Sequence, residues 1–182
     1  MKPFKILSRE ILFDSPYCPL EKHVVLLPNG KKTEWFVNTS GDAVIVIPVL
    51  KSGKILLQKN YKHGCRSIVT EFCAGFIDKG ETPRAAALRE LMEETGYTGV
   101  PHKVAEIFVN PTGSIMKYHY FLVTDCVKSG KQKLESAEQI TLFLVPDFKK
   151  ACQILTNPKT KTSVPAIAGL LYLEKFLEKK KK

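Results

Sequence analysis

Residues 75–97 read GFIDKGETPRAAALRELMEETGY, and this stretch carries the strongest structural signal in the chain. Thr82 and Pro83 suit the N-cap and the first position of a helix, and the Ala-Ala-Ala-Leu run after Arg84 favours helix. Gly96 suits the left-handed residue that ends a helix. The stretch therefore predicts one helix between Thr82 and Gly96.

Three glutamates of this helix share one face, since Glu93 and Glu94 lie three and four residues after Glu90. Like charges at this spacing repel, so a cation is expected between them, and carboxylate oxygens are ligands that Mg²⁺ and Mn²⁺ prefer. Arg89 lies beside this face and can orient Glu93 or Glu94 through a forked hydrogen bond. A solvated surface helix is the alternative explanation of the three glutamates alone. In both cases the opposite side is expected to pack on the core: Ala85, Leu88, Leu91 and Met92.

The offsets across the whole stretch match a known pattern. After Gly75 the specified residues follow at fixed intervals: Glu81, Arg89-Glu90-Leu91, Glu93-Glu94 and Gly96. This pattern resembles the signature of the Nudix hydrolases, with Tyr97 where that signature prefers an aliphatic residue. The resemblance implies the α/β class, as an α/β/α sandwich with a mixed sheet. It also implies an enzyme that cleaves a diphosphate linked to another group, usually a nucleoside.

The resemblance implies a metal site built on this helix. Glu90 and Glu94 would be the principal ligands of Mg²⁺, which Mn²⁺ can replace. Glu93 would be a further ligand or would support one, and the backbone carbonyl of Ala74 would complete the shell. Glu81 would brace the loop without touching the metal.

More loosely, the rest of the chain resembles the ADP-ribose pyrophosphatase branch of that family. Strand candidates precede the apolar run at residues 43–50, and residues 71–75 read EFCAG, where the branch has proline in place of Cys73. Pro111, fifteen residues past Gly96, corresponds to a proline of that branch. The implied substrate is a nucleoside diphosphate sugar, with ADP-ribose favoured, and the products are a nucleoside monophosphate and a sugar phosphate.

Two departures from the branch concern the distal half of the substrate. Thr112 separates Pro111 from Gly113, whereas the branch places glycine directly after the proline. Asn60-Tyr61-Lys62 stands where the branch has Gln-Tyr/Phe-Arg, and lysine keeps the charge but not the bidentate phosphate contact of arginine. Nucleotide sugars other than ADP-ribose therefore stay open.

A general base is expected in a loop ahead of a late strand, as the branch implies. Glu138, close before the strand candidate at residues 140–145, aligns best, and Glu135 is the reserve. Each of the two also fits a solvated loop acid. Glu93 within the helix is the third choice.

Four further residues are candidates for substrate binding. Trp35, the single tryptophan, fits a stacking partner of the nucleobase or a core or dimer contact. Arg66 fits a phosphate contact or a plain turn residue. Lys62 and Pro111 are candidates because of the positions that they share with the branch.

The chain is expected to divide at residue 40. Residues 1–40 hold three strand candidates and the hairpin signal Pro28-Asn29-Gly30-Lys31, and would form a small antiparallel sheet used for dimerisation and base contact. Residues 41–182 would form the hydrolase domain, in which the apolar run at 43–50 is typical of a strand buried on both faces. Further elements are expected as strands at 55–59, 67–72, 103–109, 118–124 and 140–145 and as helices at 147–155 and 164–178.

Composition is that of an ordinary globular protein, with 44% hydrophobic and 25% charged residues among 182. No apolar run reaches the ~20 residues of a membrane span, and the N-terminus is too polar for a secretory signal. Five scattered cysteines without CxxC pairing indicate reduced thiols in the cytoplasm, and the branch implies a homodimer. Much of the net charge of +10 comes from Lys179–Lys182, which is expected to be a solvated tail, so nucleic-acid binding is not indicated.

Two other functions stay open at this point. A Nudix enzyme that acts on nucleoside triphosphates or RNA 5′ ends would use the same metal chemistry. A catalytically silent nucleotide sensor would bind its ligand without turnover. The intact Arg89-Glu90 and Glu93-Glu94 pairs argue against the silent sensor.

Overall fold

The computed structural model describes residues 1–179, and the predicted lysine tail continues beyond Lys179, outside that range. No helix within residues 1–179 is long and apolar enough to cross a membrane. His63–Cys65 forms a single 3-10 turn. The strands and helices are β1 (Lys5–Phe13), β2 (Leu20–Leu26), β3 (Lys32–Asn38), β4 (Ala43–Leu50), β5 (Ile55–Lys62), β6 (Ser67–Glu71), β7 (Cys73–Phe76), α1 (Pro83–Thr95), β8 (Tyr97–Phe108), β9 (Lys117–Lys128), β10 (Ile140–Val145), α2 (Phe148–Leu155) and α3 (Val164–Lys179).

The chain forms two compact units. The first comprises residues 1–42 and 107–118, and the second comprises residues 43–106 together with the chain from His119 onward. The sequence did not indicate that residues 107–118 belong with the N-terminal part, because only their long-range pairing places them there. The roles predicted for residues 1–40, dimerisation and base contact, stay predictions.

The first unit contains an antiparallel sheet in the order β1-β2-β3. The predicted Asn-Gly hairpin is confirmed: Gly30 has φ 82°, and its N–H donates to Leu27 O at 3.0 Å. Residues 110–115 attach to the end of β3, where Asn38 N–H donates to Gly113 O at 2.9 Å. Every residue of β1 is exposed to solvent.

The second unit is built on a seven-stranded sheet in the order β10-β5-β4-β9-β8, with β6 paired to β5 and β7 paired to β4. β4 is buried on both faces, as its apolar run predicts. Val44 and Val46 belong to the core cluster that includes Leu91 of α1. Ile47 points to the opposite face, where a Cβ at Gly169 of α3 would lie 3.4 Å from its Cδ1. Helices therefore cover both faces of the sheet, and the predicted α/β/α sandwich is confirmed.

The predicted ends of α1 are confirmed. Thr82 is the N-cap, and its Oγ1 accepts a hydrogen bond from Ala85 N at 3.2 Å. Gly96 ends the helix with φ 72°, and its N–H donates to Met92 O at 2.8 Å. Both signals are local, which is why the sequence predicts them.

The predicted core face of α1 is wrong. Ala85 is exposed, Leu88 and Met92 are half-buried, and only Leu91 of the expected set is buried. Because Gly75 in β7 leaves room for the Glu90 carboxylate and Ala74 N–H donates to Glu94, the helix turns part of its acidic side inward. The buried residues of the helix are Ala86, Ala87, Glu90, Leu91, Glu94 and Thr95.

Two strand boundaries also differ from the prediction. β7, Cys73–Phe76, was not foreseen, because alanine and glycine have low strand propensity; it pairs antiparallel with β4. β8 begins at Tyr97 rather than at residue 103. The chain therefore passes from the glycine that ends α1 directly into a strand.

Candidate active site

A cleft of about 510 Å³ opens in the second unit. Its size suits a ligand of nucleotide dimensions. Four residues that the sequence singled out lie on its wall: Lys62, Ala74, Glu94 and Glu138. The full lining is Asn60, Tyr61, Lys62, His63, Gly64, Ala74, Glu94, Ala137, Glu138 and Gln139.

Glu94 is the most deeply buried carboxylate of the cleft, with 1% of its surface exposed. Its Oε2 accepts hydrogen bonds from Ala74 N at 3.0 Å and from Gln58 Nε2 at 3.2 Å. The Cys73 thiol also hydrogen-bonds the carboxylate. Burial raises the pKa of Glu94 to about 7, although these hydrogen bonds favour the charged form. A buried carboxylate with a raised pKa at a cleft is a candidate functional group.

Glu90 is buried because Gly75 in β7 has no side chain. A Cβ at Gly75 would overlap the carboxylate of Glu90. Burial raises the pKa of Glu90, and the negative charges of Glu93 and Glu138 raise it further, whereas Arg89 lowers it. The first glycine of the motif therefore provides the space in which one of its glutamates lies.

Arg89 is the cation between the carboxylates of the motif. Its Nε and Nη2 donate to the two oxygens of Glu81, each at 3.0 Å, and this forked pair lowers the pKa of Glu81. Its Nη1 donates to Glu90 Oε1 at 2.8 Å and to Glu93 Oε2 at 3.0 Å. The sequence predicted that Arg89 orients Glu93 or Glu94; Glu93 is a partner, whereas Glu94 is held by Gln58 and Ala74.

The residues fit a divalent metal by their chemistry. Glu90 and Glu94 are both buried. The negative charge of Glu90 contributes to the raised pKa of Glu94, which shows that the two carboxylates are close enough to repel each other. Hard oxygen donors of this kind prefer Mg²⁺ or Mn²⁺. Within residues 1–179, however, no group of three or more acidic, His or Cys side chains is arranged around one point. Glu90 and Glu93 instead both accept hydrogen bonds from Arg89 Nη1.

The loop before β10 brings Glu138 into the cleft. Glu138 lies on the cleft wall, and its charge reaches Glu90. Its Oε2 accepts the N–H of Glu135 at 2.9 Å, and its own N–H donates to Glu135 O at 3.0 Å. Glu135 is exposed and does not line the cleft. Of the two loop acids, Glu138 is therefore the one placed beside the motif.

Comparison with known proteins identifies the family. Residues 39–158 match the NUDIX domain. The chain belongs to the NUDIX family. The predicted family is thereby confirmed, and the chain is a Nudix hydrolase.

Three relatives illustrate the likeness. The chain is 32% identical to an ADP-ribose pyrophosphatase of Bacillus subtilis over 143 residues, which are 78% of this chain and 77% of that protein. It is 40% identical to an ADP-sugar pyrophosphatase of Mus musculus over 105 residues, which are 52% of this chain and 48% of the mouse protein. The fold matches the crystal structure of an ADP compounds hydrolase with a TM-score of 0.86 at 21% identity, covering 99% of this chain and 97% of the other.

Lys62, which stands where this Nudix branch carries arginine, is already paired within the protein. Its Nζ lies 2.9 Å from Oε1 of Glu71, a carboxylate that is 6% exposed. That oxygen has no hydrogen-bond partner among the described residues, so the contact is an ion pair without hydrogen-bond geometry. Lys62 therefore faces the cleft with part of its charge already balanced.

The other three predicted substrate contacts do not line this cleft. Arg66 ends the 3-10 turn with φ 50°, in the left-handed region that non-glycine residues rarely adopt. Trp35 and Pro111 belong to the first unit, where Trp35 Nε1 donates to Thr112 O at 2.6 Å and its ring lies edge-on to Phe4. Their roles in substrate binding stay predictions.

Sequence reasoning missed Gln58 as a residue of the Nudix site. It is 1% exposed, donates to Glu94, and its Oε1 has no hydrogen-bond partner among the described residues. The available signal was a glutamine after the apolar run Ile55-Leu56-Leu57, because a polar residue continuing a buried strand needs a partner.

Proposed function

We propose that this Nudix hydrolase cleaves the diphosphate bond of a nucleoside diphosphate sugar, with ADP-ribose as the favoured substrate. The products are AMP and a sugar phosphate. The observation that carries the proposal is the burial of two motif carboxylates, Glu90 against Gly75 and Glu94 on the wall of a nucleotide-sized cleft. The names of the bacterial and mouse relatives support the same substrate class.

Glu90 and Glu94 would hold a divalent metal, for which we propose Mg²⁺, with Mn²⁺ as a substitute. When bound, the metal neutralises the diphosphate and lowers the pKa of a coordinated water. Ala74 and Gln58 keep the Glu94 carboxylate in place through its Oε2. Glu93 would be a further ligand or would support one, and the carbonyl of Ala74 would complete the set of ligands.

Arg89 holds the motif loop to the helix. Its forked bond to Glu81 and its bond to Phe76 O at 2.9 Å connect the two ends of that loop. Charge-assisted bonds of this kind are short and directional, so the guanidinium fixes where Glu90 and Glu93 lie. We assign Arg89 to orienting these carboxylates in catalysis.

Glu138 is proposed as the general base. It lies in the cleft with Glu94 and is close enough to Glu90 for their charges to interact. An ionised carboxylate there can accept the proton of the attacking water. Glu135 and Glu93 are the alternative bases, and a solvated loop acid is the alternative role of Glu138.

Basic side chains line the cleft in which the negatively charged diphosphate would bind. Lys62 and His63 line the cleft, and the net charge of +10 provides an attractive field for an anionic diphosphate. Arg66 would contact a phosphate, Trp35 would stack on the nucleobase, and Pro111 would border the distal half of the substrate.

We further propose a cytoplasmic homodimer that forms through the N-terminal sheet. All nine residues of β1 are exposed, and several are large and apolar, Ile11 being 67% and Phe13 59% exposed. β1 lies at the edge of its sheet, and an exposed strand edge is a template for pairing with a second copy. The five cysteines are free, which agrees with a reducing compartment.

A substrate panel tests the proposal. Purified protein is incubated with Mg²⁺ and ADP-ribose, GDP-mannose, UDP-glucose, nucleoside triphosphates or a capped RNA, and the products are separated. We expect AMP and ribose phosphate from ADP-ribose at the highest kcat/KM. Preferential release of diphosphate from triphosphates, or of a cap, would replace the proposal by the second hydrolase function. Binding without turnover on every substrate would indicate a silent sensor.

A further inference from the structure

The loop between β9 and β10 closes the C-terminal end of α1. Ser129 and Gly130 donate their N–H groups to Gly96 O at 2.8 and 3.0 Å. The approach is tight, because a Cβ at Gly96 would overlap the carbonyl oxygen of Gly130. The loop therefore begins in direct backbone contact with the residue that ends the motif helix.

Two further bonds reach the carbonyls of the motif glutamates themselves. Lys133 N–H donates to Glu93 O at 2.8 Å, and Gln132 Nε2 donates to Glu94 O at 2.7 Å. The last carbonyls of a helix have no partner within the helix, so an outside donor stabilises them. Gln132 is exposed as a residue, but this bond is partly buried.

The same loop carries the proposed base. Only four residues lie between Lys133 and Glu138, which lies in the cleft with Glu94. A segment this short has little freedom once one end is held, so the anchor limits where the Glu138 carboxylate can go. The other end of the segment is held where Tyr61 N–H donates to Gln139 O at 3.4 Å.

We propose that Gln132 is a positioning residue for Glu138. By holding Glu94 O, its side chain aligns the loop from residue 129 to residue 139 with the end of the helix that carries the metal-binding glutamates. The inference rests on the proposed function for its catalytic part. The anchoring of residues 134–139 by Gln132 does not depend on the proposed function and is tested separately.

A helix cap with no role in the reaction is the competing explanation. Loss of a cap would lower the stability of α1 and leave the turnover of folded enzyme unchanged. Loss of a positioning bond would instead free residues 134–139 and lower kcat, with KM little changed, because Gln132 does not line the cleft. Loop exchange and the kcat-against-KM split therefore separate the two roles.

The test uses Gln132→Met, which keeps the length of the side chain and removes the donor. Amide hydrogen exchange, measured without metal or substrate, should become faster at residues 134–139. With Mg²⁺ and ADP-ribose, kcat should fall about fivefold, the factor that corresponds to one typical hydrogen bond, while KM stays within about twofold. Lys131→Met, one residue earlier on the same exposed loop, is the matched control and should change neither quantity.

The other possible results also decide whether Gln132 positions Glu138. Unchanged exchange, or faster exchange with unchanged kcat, overturns the positioning role. If Gln132→Met does not fold, Gln132→Ala, which also removes the donor, carries the same two measurements: faster exchange at residues 134–139 together with a lower kcat supports the role, and unchanged exchange or unchanged kcat overturns it. A wild-type protein that hydrolyses no nucleotide sugar refutes the proposed function instead, and the exchange measurement then still decides whether Gln132 anchors the loop.

Discussion

At the scale of single residues, Gly75 decides whether Glu90 fits. Gly75→Ala places a Cβ on the Glu90 carboxylate, so either the helix or the side chain must move. We expect loss of activity by about two orders of magnitude, since a shift of about 1 Å at a catalytic group has that effect. Steady-state kinetics with circular dichroism checks it. Gly41→Ala, where a Cβ meets nothing within 4 Å, is the control, and equal activity of the two variants would contradict the argument.

Glu94 connects activity with pH-dependent stability. Because its pKa in the folded protein is raised from 4.5 to about 7, ionisation destabilises the metal-free protein; the penalty is absent below pH 4.5, grows between pH 4.5 and 7, and is complete above pH 7. Glu94→Gln should abolish Mg²⁺-dependent hydrolysis. It should also raise the free energy of unfolding at pH 8 by about 3 kcal/mol in chelator, and by little at pH 4.5.

Urea unfolding at both pH values measures this difference. Glu178→Gln, which removes an exposed charge from α3, is the control. Turnover of Glu94→Gln at the wild-type rate would remove the metal assignment. A stability difference that does not grow with pH would remove the electrostatic explanation.

Residue-scale prediction succeeded where the signal was local and failed where a partner was distant. Thr82 and Gly96 are recognisable because a cap depends on neighbours in the chain. The partner of Glu94 is Gln58, which is 36 residues earlier, and no local pattern announces that contact. The sequence correctly predicted that Arg89 lies beside the glutamates of α1. Its forked bond to Glu81 was not predicted, because it depends on how the loop before α1 folds back onto the helix.

At the scale of elements, α1 is stabilised by the close approach of a loop to its last residue. Gly96→Ala should destabilise the protein by more than the roughly 1–2 kcal/mol of left-handed strain, because its Cβ also overlaps Gly130 O. Gly80→Ala is the matched control, since φ is 84° there and a Cβ meets nothing within 4 Å. Thermal unfolding compares the two variants. Equal losses of stability in the two variants would contradict the argument, because they would show that the loop at Gly130 moves away from the new Cβ without an energetic penalty.

The orientation of α1 shows what an element's sequence leaves undetermined. Its acidic side and its apolar side were both visible, yet the buried stripe contains Glu90 and Glu94 together with Leu91. A helix buries the side for which its neighbours leave room, and here β7 offers Ala74 and Gly75. Strand β4, in contrast, was predictable because an unbroken apolar run is buried whichever neighbours cover it.

At the scale of the whole molecule, the prediction concerns association. Ile11→Glu combined with Phe13→Glu should convert a dimer into a monomer, because two charges would be buried where β1 meets a second copy. Light scattering coupled to size exclusion measures the mass. Val164→Glu, at a residue that is 83% exposed on α3, is the control. A wild-type protein that is monomeric at high concentration would refute the dimer.

By itself the sequence determined the family, the fold class, both ends of the motif helix and most of the strands. These follow from residue types at short fixed offsets, for which neighbours in the chain suffice. Only the tertiary structure decided which side of the helix is buried, which residues hold Glu94, and that the loop of residues 129–133 closes the helix. These depend on close approach between distant segments, where a missing Cβ or one donor determines what fits.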